Sequence, residues 1–301
     1  MVSTRIGSLS LITDTLRDVS SSQTKLSALQ NQISSGYKSQ NFVGLDGSVE
    51  QFTQIDGQLS RAKQFNDNNR LNISKLQTAD EALSKVTDIA DKIKNIIVGA
   101  NSATIATSNI SQAIADLLKS FAGELNVSFN GSYIFGGTDT ANAPVPTTGA
   151  SNAVLGVADD VYYAGSKQDS TLRIDDRTDV GFPVRADDSA FQKIYAAAKW
   201  AINAATAKDT AQMSQAQQLI QDGQKDLIAA RSKIGSTVIN IQTTDDRLKQ
   251  LTTYWRQLSD ELSKTDLVAA STEVSGYQAI LQATFQVYAR LSQLRLSDYL
   301  K

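Results

Sequence analysis

The stretch Leu76-Gln77-Thr78-Ala79-Asp80-Glu81-Ala82-Leu83-Ser84-Lys85-Val86-Thr87-Asp88-Ile89-Ala90-Asp91-Lys92-Ile93-Lys94-Asn95-Ile96-Ile97 decides the fold. Leu76, Ala79, Leu83, Val86, Ala90, Ile93 and Ile97 recur in alternating steps of three and four. That period lays one apolar stripe along an α-helix, with most of the charged residues on its other faces. A second helix follows a Ser/Thr/Asn-rich turn near 101–109, with Ile110, Ile114, Leu117, Phe121 and Leu125 on its stripe. Far down the chain, Leu227, Ala230, Ile234, Val238 and Ile241 run into Leu248, Leu251, Trp255, Leu258 and Leu262. These are the a/d seams of packed helices. Trp200 and Trp255 stand at helical positions among apolar neighbours, which makes them core anchors rather than a ligand platform.

Proline interrupts only the middle. Pro144, Pro146 and Pro183 are the only three, so residues 1–143 and 184–301 are free to form long helices. Glycine gathers in the same place, at Gly131, Gly136, Gly137, Gly149, Gly156, Gly165 and Gly181. Between these breakers lie short β-prone runs: Tyr133-Ile134-Phe135, Val161-Tyr162-Tyr163, Thr171-Leu172-Arg173-Ile174 and Val180-Gly181-Phe182. The expected class is mainly α: a long antiparallel helical rod or bundle with a terminal coiled coil and a small β-rich insert. The helical periods on either side do not call on the insert, so its removal is expected to leave them folded.

The two ends differ from the middle. Ile12, Val19, Leu26 and Ile33 recur every seven residues, with Leu9 and Leu16 as alternate seam positions that continue as Gln23 and Gln30. At the other end Ile280, Val287 and Leu294 interleave with Tyr277 and Leu291. Such narrow, half-polar stripes suit helices that pair with each other and with neighbouring subunits, and that are marginal alone. Leu9, Ile12, Leu16, Val19, Leu26, Ile33, Ile280, Val287, Leu291 and Leu294 are therefore the candidate assembly interface. The expected division is a terminal coiled-coil assembly domain over 1–40 plus 265–301, a helix bundle over 41–131 plus 190–264, and the insert over 132–189.

Little in the sequence supports chemistry. Cysteine and histidine are absent, which removes thiolate nucleophiles, disulfides, Cys/His metal sites and the commonest general base. Gly131 to Thr138 has the outer spacing of a P-loop, but Gly137 stands where the phosphate-binding Lys belongs. Asp159-Asp160, Asp175-Asp176 with Asp179, and Asp187-Asp188 match no calcium loop, and Arg173, Arg177 and Arg185 lie among them as ion-pair partners. No catalytic, cofactor or metal residues are assigned, and an enzyme is not expected. The 29 basic and 31 acidic residues are interspersed, so neither nucleic acid nor a membrane surface is an expected partner. No apolar run is long enough to span a bilayer, and the first residues lack the pattern of a cleaved secretory signal.

Several segments resemble the bacterial flagellin family. Ile33-Ser34-Ser35-Gly36, and Asn66-Asp67-Asn68-Asn69 leading to Leu76-Gln77-Thr78-Ala79-Asp80-Glu81-Ala82-Leu83, look like its amino-terminal region. Phe129 to Gly137, Val161-Tyr162-Tyr163-Ala164-Gly165 and Leu172-Arg173-Ile174 are similar to the hook-associated protein 3 branch. Ala230-Arg231-Ser232-Lys233-Ile234-Gly235 and Leu296-Ser297-Asp298-Tyr299-Leu300 extend the resemblance. The start lacks an Ile-Asn-Thr-Asn signature, and no Asp-Asp-Ala-Ala-Gly-Leu run follows Gly36, which favours that branch over a filament flagellin.

The resemblance implies a structural subunit of the hook–filament junction in the extracellular flagellum, exported by the type III route without signal cleavage. It implies as partners identical subunits in a ring or layer, a neighbouring hook-associated protein, flagellin, and an export chaperone on the carboxy-terminal helix. Competing readings are a small filament flagellin, an enzyme carried by the insert, and a free-standing coiled-coil binding module. The first shares the architecture. The second needs an acid–base constellation, and the third needs termini that are stable in the monomer.

Overall fold

A computed structural model describes the backbone of residues 2–38, 49–102, 107–146, 158 and 160–299, and the side chains of 13–38, 49–100, 109–146, 158 and 160–290. The elements in chain order are α1 (Val2–Ser35), α2 (Val49–Ser102), α3 (Thr107–Leu125), β1 (Ser128–Phe129), β2 (Ser132–Tyr133), β3 (Thr171–Asp175), β4 (Thr178–Gly181), α4 (Ser189–Ala207), α5 (Thr210–Ser263) and α6 (Leu267–Tyr299). The class is mainly α with a small β insert, as the periods require. Contacts divide the chain into two compact units, Met1–Arg61 with Leu251–Lys301, and Ala62–Gln250.

The second unit is a bundle of four helical segments plus the insert. Its seams follow the periods closely. Leu76, Ala79, Leu83, Val86, Ala90, Ile93 and Ile97 of α2 are all buried, as are Leu227, Ala230, Ile234, Ile241 and Leu248 of α5. Polar pairs on the rims tie neighbouring helices together: Lys85 of α2 with Glu124 of α3 at 3.3 Å, and Lys193 of α4 with Asp226 of α5 at 2.7 Å. Helices α4 and α5 meet closely at Gly223, where an added Cβ would stand 2.8 Å from Ile194 Cγ1. The alanine-rich face of α4 suits that approach. Asp209 starts α5 by accepting hydrogen bonds from the Ala211 and Gln212 amides at 2.9 and 3.0 Å.

Across the α2–α5 seam Arg231 donates to both oxygens of Asp80, at 2.8 and 3.0 Å. Those hydrogen bonds hold the Asp80 carboxyl below the usual carboxylate range, against a smaller opposing effect of burial. A depressed folded pKa contributes stability that is present above about pH 4 and lost as pH falls through the folded value. Arg231→Leu is therefore expected to melt lower than the unmodified chain near neutrality. The gap should narrow steadily in melts taken below about pH 4, and a pH-independent gap would mean that packing, not charge, made the difference.

The insert is less of an appendage than its turns suggest. Among the described residues the insert's strands form two hairpins, β1 with β2 and β3 with β4, both antiparallel. Residues 161–163, expected as a strand, instead form a turn in which the Tyr163 amide donates to Asp160 O at 2.9 Å. Both tyrosines are used as anchors rather than as ladder residues. The Tyr162 ring packs 4.4 Å from Tyr195, and its hydroxyl donates to Ala186 O at 2.7 Å. The Tyr163 hydroxyl donates to Ser166 O at 2.6 Å, and burial pushes its pKa up to about 12, so the donating proton stays in place. Ile134 and Phe135 are buried beyond the end of β2, where the Phe135 ring lies 6.3 Å from that of Phe191 and its carbonyl accepts from the Ala186 amide. Gly137 has φ +66°, and a Cβ on it would stand 2.2 Å from Ser166 O, so only glycine fits.

Val145, Tyr162, Leu172, Ile174, Phe182 and Val184 belong to the same buried cluster as Phe121, Phe191 and Tyr195 of α3 and α4. Three asparagines of α2 hold the outer edge of β3. Asn69 donates to Ile174 O at 3.0 Å, Asn68 to Arg173 O at 2.8 Å, and Asn72 to the same oxygen at 3.5 Å. Arg247 of α5 pairs with Asp175 at the end of that strand. This shared core argues against the expectation that the insert is dispensable. Of the expected arginine pairs, Arg185 binds Asp187 at 2.8 Å and also Asp169, while Arg173 donates to Asp176 O instead.

Candidate assembly surface

In the first unit α1 and α6 run antiparallel. Their register is set where α1 ends and α6 begins: the Lys38 amide donates to Ser263 O at 2.8 Å, and the Thr265 amide donates to Gly36 O at 3.0 Å. Gly36, at φ +76°, supplies the left-handed turn that ends α1. Asp266 then caps α6, accepting from the Val268 and Ala269 amides at 2.9 and 3.1 Å. Further along the pair, the Lys25 ammonium lies 5.7 Å from the centre of the Tyr277 ring.

The shielded stripe of α1 is Thr15, Val19, Ser22, Leu26, Leu29 and Ile33, in steps of four and three. That of α6 is Ala270, Val274, Tyr277, Leu281 and Thr284. Val19, Leu26 and Ile33 fall on it as half-buried residues. Leu16, Ile280 and Val287 do not, and are 53%, 52% and 52% exposed. The alternate positions on α1 are one residue earlier than the sequence reading places them, so Ser22 and Leu29 replace Gln23 and Gln30, which are exposed. Leu9, Ile12, Leu291 and Leu294 lie outside the described side chains.

Helix α6 therefore carries two apolar stripes side by side. One meets α1. The other, Ile280 with Val287 one heptad on, lies about a quarter turn round the helix and faces solvent, whereas the exposed Phe285 and Tyr288 lie nearer the side of Leu281. The missed signal was Leu281, which lies one position from Ile280 and is the buried member of the two.

The α1–α6 seam itself is thin. No described side chain between 13 and 38 is fully buried, and between 267 and 290 only Ala270 and Leu281 are. Limited proteolysis of the purified monomer should accordingly cut within 13–38 and 267–290 well before Ala62–Gln250. Termini that outlast that unit would mean the pair is stable without neighbours.

A groove of about 410 Å³ in the same unit is lined by Gln51, Gln54, Ile55, Gln58, Trp255, Leu258 and Leu262. It holds amides and apolar side chains but no ionisable group, so it offers nothing for acid–base or nucleophilic work. Among the described residues, no group of three or more His, Cys, Asp or Glu could hold a metal ion, and no helix is long and apolar enough to cross a membrane.

Solved structures share this fold. FlgL of Bacillus cereus is 16% identical with a TM-score of 0.55, covering 69% of this chain and 98% of that one. A protein described as a flagellar hook-associated protein from Vibrio parahaemolyticus is 15% identical with a TM-score of 0.56, covering 72% of this chain and 97% of that one. No curated protein matches the chain in sequence. Residues 6–140 match the family model described as the bacterial flagellin N-terminal helical region.

Proposed function

We propose that this protein is a structural subunit of the bacterial flagellum at the hook–filament junction, of the hook-associated protein 3 kind, and not an enzyme. The observation that carries the reading is the second apolar stripe of α6, left open beside the stripe that pairs with α1. A helix pair that presents such a face has a reason to meet further helices, and the match of residues 6–140 to the flagellin N-terminal region supports a flagellar polymer. The likeness in fold to FlgL and to a hook-associated protein supports the junction over the filament.

On this reading the terminal segments 1–40 and 265–301 form the assembly domain. Identical subunits pack in a ring or layer outside the cell, a hook-associated protein and flagellin lie on its two sides, and a chaperone escorts the carboxy-terminal helix during type III export. Deleting the gene tests this. Cells are expected to carry bare hooks and to lose filament protein to the medium, with motility restored by the intact chain. Cells that keep hooks and caps but lack the filament substance itself would instead identify a filament flagellin.

A further inference from the structure

The β1–β2 hairpin turns on Asn130-Gly131, which is the sole Asn-Gly step in the sequence. Phe129 pairs with Ser132, so these two residues are the entire loop. Both have positive φ, 51° and 79°, as the tight type I′ connection requires. Both are exposed. A Cβ built on Gly131 would meet nothing within 4 Å, so space around the glycine is open. The Asn130 amide makes no hydrogen bond to any described residue.

Asn126, four residues earlier, is the opposite case. Its amide donates to Val145 O at 2.7 Å and accepts from the Val145 amide at 2.8 Å, and the β-branched Val127 follows it.

We propose that Asn130 is a site of spontaneous deamidation, with water as the only co-reactant. The Gly131 backbone nitrogen attacks Asn130 Cγ and gives up its proton to solvent. The Cγ–Nδ2 bond breaks, and Nδ2 leaves as ammonia after taking a proton from water. Water then opens the resulting succinimide at either carbonyl. One opening yields aspartate, and the other yields isoaspartate, with the chain running through Cγ. Overall one water is consumed and one ammonia released. Glycine makes the step accessible because no side chain hinders its nitrogen.

The product matters to the hairpin. Either opening places a carboxylate in the loop, and isoaspartate adds a carbon to a backbone connection whose length fixes the strand register. Phe129, packed against the core beside the loop, is the first side chain to lose its place.

The test is to incubate the purified full chain at mildly alkaline pH and to map it by peptide mass. The peptide containing residue 130 is expected to gain the mass difference between hydroxyl and amide and to split into aspartyl and isoaspartyl forms, while the Asn126 peptide stays unchanged. Gly131→Ala should slow the conversion by roughly tenfold or more, even though its strained φ loosens the turn. Asn130→Gln, which cannot close the five-membered ring readily, should abolish it and keep the fold. Two results would overturn the proposal. One is an intact Asn130 in the native chain over a period in which the denatured chain converts. The other is conversion at equal rate in Gly131→Ala.

Discussion

Replacing residues 138–186 with a short Gly/Ser linker is expected to abolish the cooperative melting of Ala62–Gln250. Val145, Tyr162, Leu172, Ile174, Phe182 and Val184 are all buried, and all are removed by that deletion. At about 1.5–3 kcal/mol for each large buried side chain, the loss is on the order of 10 kcal/mol, as large as the whole stability of an ordinary domain. The partners left behind suffer too. Tyr195 and Phe121 lose the Tyr162 ring, Lys75 loses the Phe182 ring that lies 4.8 Å from its ammonium, and Asn69 loses the carbonyl it donates to. Circular dichroism should show helix retained only in part and a broad, weak transition. A sharp melt with full helix content would mean that the four helical segments close a sufficient core without the insert.

Val287→Asp is expected to eliminate assembly and leave the monomer's melting temperature within a degree or two. The native side chain is half in water already, so a carboxylate there costs the free subunit little. Once a neighbouring helix covers the stripe, the same carboxylate is unpaired and desolvated, at several kcal/mol for each subunit. Leu281→Asp gives the contrast. That residue is buried on the stripe facing α1, so a charge there should expose α1 and α6 to protease in the monomer itself. Melting, limited proteolysis and restoration of motility, measured on both variants, separate the two faces. Normal assembly by Val287→Asp would move the contact face elsewhere on the helix. Unfolding by the same variant would place Val287 in the monomer's own core.

The contrast between middle and ends also marks what the sequence could disclose. The seams of α2 over 76–97 and of α5 over 227–248 were legible because their apolar residues are numerous, whereas Leu251, read as the next seam position, is exposed. In α1 the stripe is half polar, and Leu16 and Leu29 belong to different phases of one period. Only the partner helix decides between them. Similarly, Ile280 and Leu281 are adjacent, and a helix cannot bury both on one narrow seam. The strand at 171–175 followed from alternation, the one at 178–181 only in part from the β-prone run 180–182, and residues 161–163 form no strand at all. Two tyrosines in a row read as β-prone, but their rings and hydroxyls are committed to partners distant in sequence, which no local pattern encodes. Asn66 to Asn69 was legible only as a mark of family, and its hold on β3 needed coordinates.

That hold has a consequence for alignment. Asn69, Leu76, Leu83, Ala90 and Ile97 follow one another at intervals of seven, all fully buried, and Ile220, Leu227, Ile234, Ile241 and Leu248 do the same on α5. A ladder of near-identical rungs has no built-in origin: α2 could slide past α5 by one heptad and still lay apolar residues on apolar residues. Asn69 breaks that degeneracy. Slid by seven residues, its amide would face hydrocarbon and the Ile174 carbonyl would lose its donor, a double desolvation that hydrophobic contact cannot offset. One polar rung thus serves as the zero mark on the scale, seconded by the Arg231–Asp80 pair, which the same slip would break.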